Sequence, residues 1–564
     1  MIRGRRRDAA ALLVCALFGV FLAAYPHFLA LVERGEAVYV ADPDELFLYL
    51  PVGADAVRDH PLWLEDPVPS GGGRTMYPWL QLGPGVVLAR LLGWGPLGVS
   101  FAWRLLAGAC VGGLLYVLLR QRLRLRWLAL AGALVLLGDV GVVYGKLLVR
   151  QAIEVARMAA GGQGHVGGWP GLHANWRLIS PALSLPWLLL TLICWLRLQE
   201  RGTWRRRALA GVSLGLLVPV YFYAWTAAFF ALVLWFVAEP KRRRDLIHVG
   251  WIALLVAAPA LIAGALAKAD AVEGWLQRSD KFVPIARTSS LLWPKGAMAC
   301  AALGIAWVAR ARRDLLPVLA LGLAGLLLLN HQLVSGLQIE NWHWQYAYGP
   351  ALSVLVVLLG AGALEARWER VPRVGRLLLG ASLALHLSSG LALRDLEAQA
   401  PQSRAATDSL LDFRAQRGAG PSLPEGLVAG EQSFVAAALV LAQKRPLEHP
   451  SVRFSPAIGL AAWRERIALD ALLRGLEVGA FRAEQEGRMK GFFSNWLGDA
   501  AERERRLAER VRVFHATREA LEQVLERLNV RCVGLPVGQT PPAYLRQGWR
   551  RLEEGPRWQV WVRD

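Results

Sequence analysis

The sequence predicts a mainly α-helical protein. A polytopic membrane domain of about eleven transmembrane helices covers residues 1–394, and a small α/β domain covers 395–564. Three observations predict this. Hydrophobic residues make up 55% of the 564 and the mean hydropathy is +0.33, with many apolar runs near the roughly 20 residues that cross a bilayer. Strongly basic segments alternate with weakly charged ones between those runs, as expected when Lys and Arg stay on the cytoplasmic side. From about residue 395 the apolar runs stop, and charged helical and alternating strand patterns replace them.

The net charge of +20 reads as basic cytoplasmic loops rather than as a nucleic-acid surface, for which the sequence carries no motif. Nucleic acid is therefore not a predicted partner; membrane lipid is. Cys15, Cys110, Cys194 and Cys300 fall in apolar segments and Cys532 is alone in the tail, so the tail has no disulfide framework and no zinc-type cluster. No fixed-period repeat is visible.

Taken in order, Arg3 to Arg7 form a basic flank and residues 9–32 the first span. The apolar run is too long for a usual signal core, so this is a retained anchor. Residues 33–78 lie outside. They contain Asp42-Pro43-Asp44-Glu45-Leu46-Phe47-Leu48-Tyr49-Leu50, which reads as a helix start. Asp42 is the N-cap, Pro43 the first helical residue and Glu45 the capping-box partner. On that reading Asp44 has no capping task and is a carboxylate held at the membrane surface beside Phe47 and Tyr49. Glu45→Gln would be tolerated, because glutamine also completes a capping box.

Residues 79–94 are apolar but broken by Pro84 and glycines, which suits an interfacial or re-entrant helix. Spans follow at 98–119 and 127–144, the first ending in the basic run Arg120 to Arg126. In the outer loop from Gly145 to Ser180, Lys146, Arg150 and Arg157 share one helical face, and Arg177 follows. Basic residues outside run against the usual bias. They suit either a phosphate-bearing lipid headgroup or simple anchoring to anionic lipid. After a span at 180–197, residues 208–238 lie between two basic segments. They read as two short helices that go out and back, hinged near Pro219-Val220-Tyr221-Phe222-Tyr223.

Spans at 247–267, 291–309, 314–333, 347–364 and 374–392 complete the set, with the N-terminus inside and the tail outside. The outer turn Asn330 to Tyr346 concentrates amides, two histidines and aromatics: His331, Gln332, Gln338, His343 and Trp344 among them. Such a surface suits either sugar hydroxyls and lipid headgroups or an aromatic interfacial belt. His331 and His343 are too far apart for a helical zinc pair, and no metal site is assigned. In the tail, 426–443 reads as a strand and a helix, 460–490 and 500–528 as helical, and 530–535 and 558–562 as strands. It has no paired nucleophile and base and no glycine-rich phosphate loop, so the chemistry is not expected there.

Pro43-Asp44-Glu45 in the first outer loop resembles the His-Pro-Asp-Glu loop of GT-C superfamily glycosyltransferases that take sugars from polyprenyl-phosphate donors, with Asp42 where that version has histidine. The architecture is similar too: many spans, an acidic first loop, a mid-chain hairpin and a C-terminal extracytoplasmic domain. The segments His173 to Pro181 and Asn330 to Trp344 are similar to motifs in bacterial members. The resemblance implies an integral membrane glycosyltransferase of the bacterial inner membrane, acting on the extracytoplasmic face. Its partners would be a polyprenyl-phosphate sugar and a lipid, glycan or protein acceptor. Asp44 would be the general base, with Asp42 and Glu45 beside it. Lys146, Arg150 and Arg177 would meet the developing phosphate charge, while Tyr221, Tyr223, His331, Gln332, Gln338, His343 and Trp344 would line the sugar and lipid pocket. No cofactor is assigned; some GT-C relatives use a divalent cation and others do not. The rival classes are a transporter or flippase, which usually carries ionisable residues at the bilayer midplane and repeated halves, and a non-enzymatic envelope scaffold.

Overall fold

The computed structural model describes residues 2–41, 45–68, 75, 79–138, 183–269, 283–284, 291–292, 294–339, 341–418, 422–450, 452, 455, 457–491 and 500–563. The chain is mainly helical, with a small sheet near the C-terminus. Among the described residues, four helices are long and apolar enough to cross a membrane: Arg6–Arg34, Pro96–Arg120, Pro240–Leu266 and Gln345–Arg370. Pro240–Leu266 has only 17% of its apolar window inside the protein, and Trp251, Leu255 and Ile262 point outward as on a lipid-facing helix. Shorter apolar helices fill the bundle. They include Arg126–Leu137, Leu185–Glu200 and the hairpin Trp204–Leu216 with Phe222–Ala238, which turns over Leu217–Tyr221 where the sequence placed its hinge. The broken apolar segment expected at 79–94 is one helix, Trp79–Leu91, with Pro84 inside it.

Helix α1 (Ile2–Arg34) packs along α4 (Val99–Arg120), and glycines bring the two backbones together. A Cβ on Gly108 would sit 2.4 Å from the Gly19 carbonyl oxygen, and one on Gly112 would sit 2.1 Å from that of Cys15. Two glycines four apart make a flat strip on which another helix lies at close range. That approach carries His27 of α1 and Arg104 of α4 to hydrogen-bonding distance.

At one end of the bundle the basic loops meet one another. Asp8 takes Arg120 at 3.1 Å and Arg126 at 3.0 Å. Arg122 reaches Glu200 at 3.2 Å and Asp314 at 3.9 Å, and Arg207 reaches Asp245 at 2.7 Å. Segments far apart in sequence, each predicted to be cytoplasmic, therefore share a face.

The tail holds a five-stranded sheet of order β4-β3-β5-β7-β6. Strands β3 (Leu427–Gly430), β4 (Arg445–Pro446) and β5 (Val530–Pro536) are parallel, while β6 (Arg550–Glu554) and β7 (Trp558–Val562) add an antiparallel hairpin. The expected strands at 530–535 and 558–562 are present, and β4 and β6 were not anticipated. The helical stretch 460–490 is two helices, Leu460–Leu473 and Val478–Gly491. One apolar cluster joins Leu46, Leu50, Trp103 and Leu183 to Phe413, Phe434, Cys532 and Trp558, so the tail shares its core with the segment that follows the acidic motif.

The glycine strip sets the helix approach, so bulk placed on it should be felt. Gly108→Val is expected to lose thermal stability in detergent by at least the roughly 1–3 kcal/mol of an overpacked core. Gly113→Val, whose Cβ would find its nearest atom 4.0 Å away, should melt like the wild type.

Candidate functional site

Glu45 opens a single π-helical turn, Glu45–Tyr49, that runs into α2 (Leu50–Asp59). Its side chain does reach back to the preceding backbone, but to Ala41: the Ala41 N–H donates to Glu45 Oε2 at 2.8 Å. The carboxylate then pairs face to face with Arg104. Nη2 donates to Oε2 at 2.7 Å and Nη1 to Oε1 at 3.0 Å. Ser100 also donates to Oε1. Glu45, Ser100, Arg104 and His27 are all essentially inaccessible to solvent. His27 Nδ1–H donates to the Ala37 carbonyl at 2.8 Å, which leaves Nε2 as acceptor for Arg104 Nη1 at 3.3 Å. Glu45 is thus more than a capping residue. It neutralises a buried guanidinium, which corrects the expectation that Glu45→Gln is harmless.

Arg104 was missed from the sequence, although the signal was there: an arginine inside an apolar helix faces the protein interior and has a partner. Asp42 and Asp44 lie outside the described residues, as do Lys146, Arg150 and Arg177. The structure describes the peptide on either side of the acidic pair, and that peptide is held from several directions. Beyond Glu45, the rings of Phe47 and His449 stand perpendicular to each other at 5.6 Å between ring centres.

The aromatic residues named from two distant stretches come together. Tyr221 Oη lies 2.6 Å from His343 Nδ1. Tyr223 packs on His343 at 4.8 Å and edge-on to Trp344 at 4.9 Å, and His331 lies against Trp344 at 4.6 Å. Trp344 Nε1 donates to Thr226 Oγ1 at 3.1 Å. Trp344 and Tyr223 are buried and form the backing of this wall, whereas Tyr221, His331 and His343 are half-buried at its surface. Gln332 is fully buried and donates to Asn330 Oδ1 at 3.4 Å, bracing the turn from within. Gln338 lies in a two-residue strand paired with Val283, and its backbone alone is described. Tyr221 is half-buried against both the bundle core and the apolar cluster that the acidic loop shares with the tail. Among the described residues no three His, Cys, Asp or Glu side chains gather as metal ligands would.

Two outcomes follow from this geometry. Glu45→Gln should destabilise the purified protein by about 3–5 kcal/mol, the usual effect of stranding one member of a buried ion pair, read as a fall in melting temperature. His449 is fully buried, and burial pushes its imidazole down to about 3 from an ordinary value of 6.5. The unfolded chain therefore takes up a proton that the folded one refuses. Stability is full above about pH 6.5 and falls by about 1.4 kcal/mol per pH unit as the pH drops towards 3. Melting curves across that range should show the slope, and His449→Gln should flatten it.

No protein-family model matches the sequence, and no curated protein matches it. Among solved structures the chain is similar to ArnT from Cupriavidus metallidurans bound to undecaprenyl phosphate. The TM-score is 0.51 at 12% identity, covering 98% of this chain and 97% of that one. The Archaeoglobus fulgidus oligosaccharyltransferase AglB, in complex with an inhibitory peptide and a dolichol-phosphate, is similar at a TM-score of 0.48 and 13% identity, over 94% of this chain and 70% of that one. A likeness at such identities is one of fold: bundle and tail together, this chain is built on the fold of ArnT.

Proposed function

We propose that this protein is an integral membrane glycosyltransferase that moves a sugar from a polyprenyl-phosphate carrier to an acceptor hydroxyl on the extracytoplasmic face, with Asp44 as the general base. The observation that carries the reading is the end-to-end likeness to ArnT, whose structure holds undecaprenyl phosphate. A fold alone does not assign a function. Support from this chain's own residues comes from the hydrogen bonds that hold the peptide on either side of the acidic pair and from the aromatic wall around Tyr221 and His343.

The acceptor oxygen attacks the anomeric carbon as the bond from that carbon to the phosphate oxygen breaks. Asp44 takes the hydroxyl proton, and the polyprenyl phosphate leaves with the bonding pair. Lys146, Arg150 and Arg177 meet the charge that grows on the phosphate. The half-buried Tyr221, His331 and His343 offer polar atoms to sugar hydroxyls, and Tyr223 and Trp344 give them an apolar backing. In this reading the bundle makes about eleven crossings, with the basic, ion-paired end in the cytoplasm. Residues 395–564 stand outside as a domain that covers the site or helps bind the acceptor.

Transfer of a radiolabelled sugar from a panel of polyprenyl-phosphate donors tests the reading. Asp44→Asn keeps the size of the side chain and removes the base, so the rate should fall about 10²- to 10⁴-fold with expression little changed. Asp42→Asn should be mild, since Asn caps a helix about as well as Asp. Full activity in Asp44→Asn with loss in Asp42→Asn would move the base to Asp42. Full activity in both would remove the base from this loop.

A further inference from the structure

The tail begins with helix Pro401–Gly418. On it Ser403 and Thr407 lie one turn apart, both buried, facing the extended segment that enters the acidic loop. The Val40 N–H donates to Thr407 Oγ1 at 3.1 Å. Thr407 in turn donates to the Ser403 carbonyl at 2.8 Å, which fixes its hydroxyl proton and leaves the lone pair towards Val40. Ser403 Oγ donates to the Ala41 carbonyl. The Ala41 N–H is already held by Glu45, so both polar backbone groups of the residue before Asp42 are fixed, one by the tail and one by the ion pair with Arg104. Neither partner is backbone. An extended segment that joins no sheet has no ladder to satisfy its amides, and here side chains of the tail take that place.

The tail also holds the other side of the loop. Arg58 donates to the Val440 carbonyl, Gln443 Nε2 donates to Asp59 Oδ2 at 2.8 Å, and His449 packs on Phe47. Outside the buried pair of hydroxyls, Arg34 meets Asp408 at 2.6 Å and Arg414 meets Glu36. Tail and loop also share an apolar cluster that includes Leu46, Leu50, Phe413 and Phe434. What the hydroxyls add is a height and a register for the backbone at residues 40 and 41.

We propose that Ser403 and Thr407 are positioning residues that hold the backbone of Val40 and Ala41 where the chain enters the acidic loop, and that through this hold the C-terminal tail controls turnover. This rests on the glycosyltransferase reading for its effect on rate, and on geometry alone for its effect on the loop. General-base chemistry needs hydrogen-bonding distance to the proton being removed, and a misplacement near 1 Å costs about 10²-fold in rate. Two hydroxyls that hold the backbone at residues 40 and 41 can therefore matter a great deal for turnover.

The test uses the full-length purified protein carrying Thr407→Val, Ser403→Ala or Thr407→Ser, read in two ways. Amide exchange should rise in peptides spanning 38–47 of Thr407→Val and stay unchanged in the sheet strands at 427–430 and 530–536. Under the transfer assay, kcat should fall about 10- to 100-fold with the donor KM within twofold. Thr407→Ser should restore both, and Thr407→Val should add nothing in an Asp44→Asn background. Unchanged exchange at 38–47 overturns the proposal whatever the activity. So does a loss of kcat that Thr407→Ser fails to rescue, or one that tracks a global loss of exchange protection. Raised exchange at 38–47 in a protein whose wild type transfers no sugar supports the positioning and sinks the glycosyltransferase reading instead.

Discussion

A guanidinium shut away from solvent at the end of an apolar helix has to be neutralised, and the carboxylate that neutralises Arg104 is Glu45. Much of the site's geometry depends on this pair. Desolvating two charges is expensive, and a buried ion pair is seldom more stable than apolar residues of the same volume would be. Its contribution is one of direction. A bidentate fork fixes the carboxylate in a plane, and the same carboxylate grips the Ala41 N–H. The position of the acidic loop's described flanks is thereby referred to α4, and through the glycine strip to α1. His27 and Ser100 take up remaining hydrogen-bonding capacity of the pair, as buried polar groups require.

Around that anchor the protein is arranged as two walls. One is the loop with the tail packed on it, in a shared apolar cluster that runs from Leu46 to Trp558. The other is the aromatic group drawn from the mid-chain hairpin and the turn before helix Gln345–Arg367. The second wall has an internal logic. Trp344 spends its N–H on Thr226, and its ring separates His331 from Tyr223. The residues left at the surface are those with polar atoms to offer. An apolar backing with a few directed polar groups is the usual makeup of a small-molecule site.

The opposite end of the bundle does different work. Its ion pairs, such as Arg122 with Glu200 and Asp314, tie loops that belong to separate hairpins. Several are partly exposed and contribute little individually. Collectively they keep the basic segments on one face, which is also the face where a positive-inside chain would leave them.

The sequence by itself determined the helical membrane class, the hinge at Leu217–Tyr221 and most strands of the tail. Those features are written in local periodicity and charge, which short stretches of chain carry whole. It also named Tyr221, Tyr223, His331, His343 and Trp344, because aromatics and histidines at a membrane boundary stand out one segment at a time. Only the tertiary structure decided that these residues meet, since more than a hundred residues separate Tyr223 from His343. Tertiary structure likewise turned Glu45 from a capping residue into the counterion of Arg104. Capping is a local pattern within four residues, whereas the ion pair joins positions 45 and 104. Ser403 and Thr407 were invisible for the same reason. A serine and a threonine one turn apart on a polar helix carry no signal until the backbone of Val40 and Ala41 is laid against them.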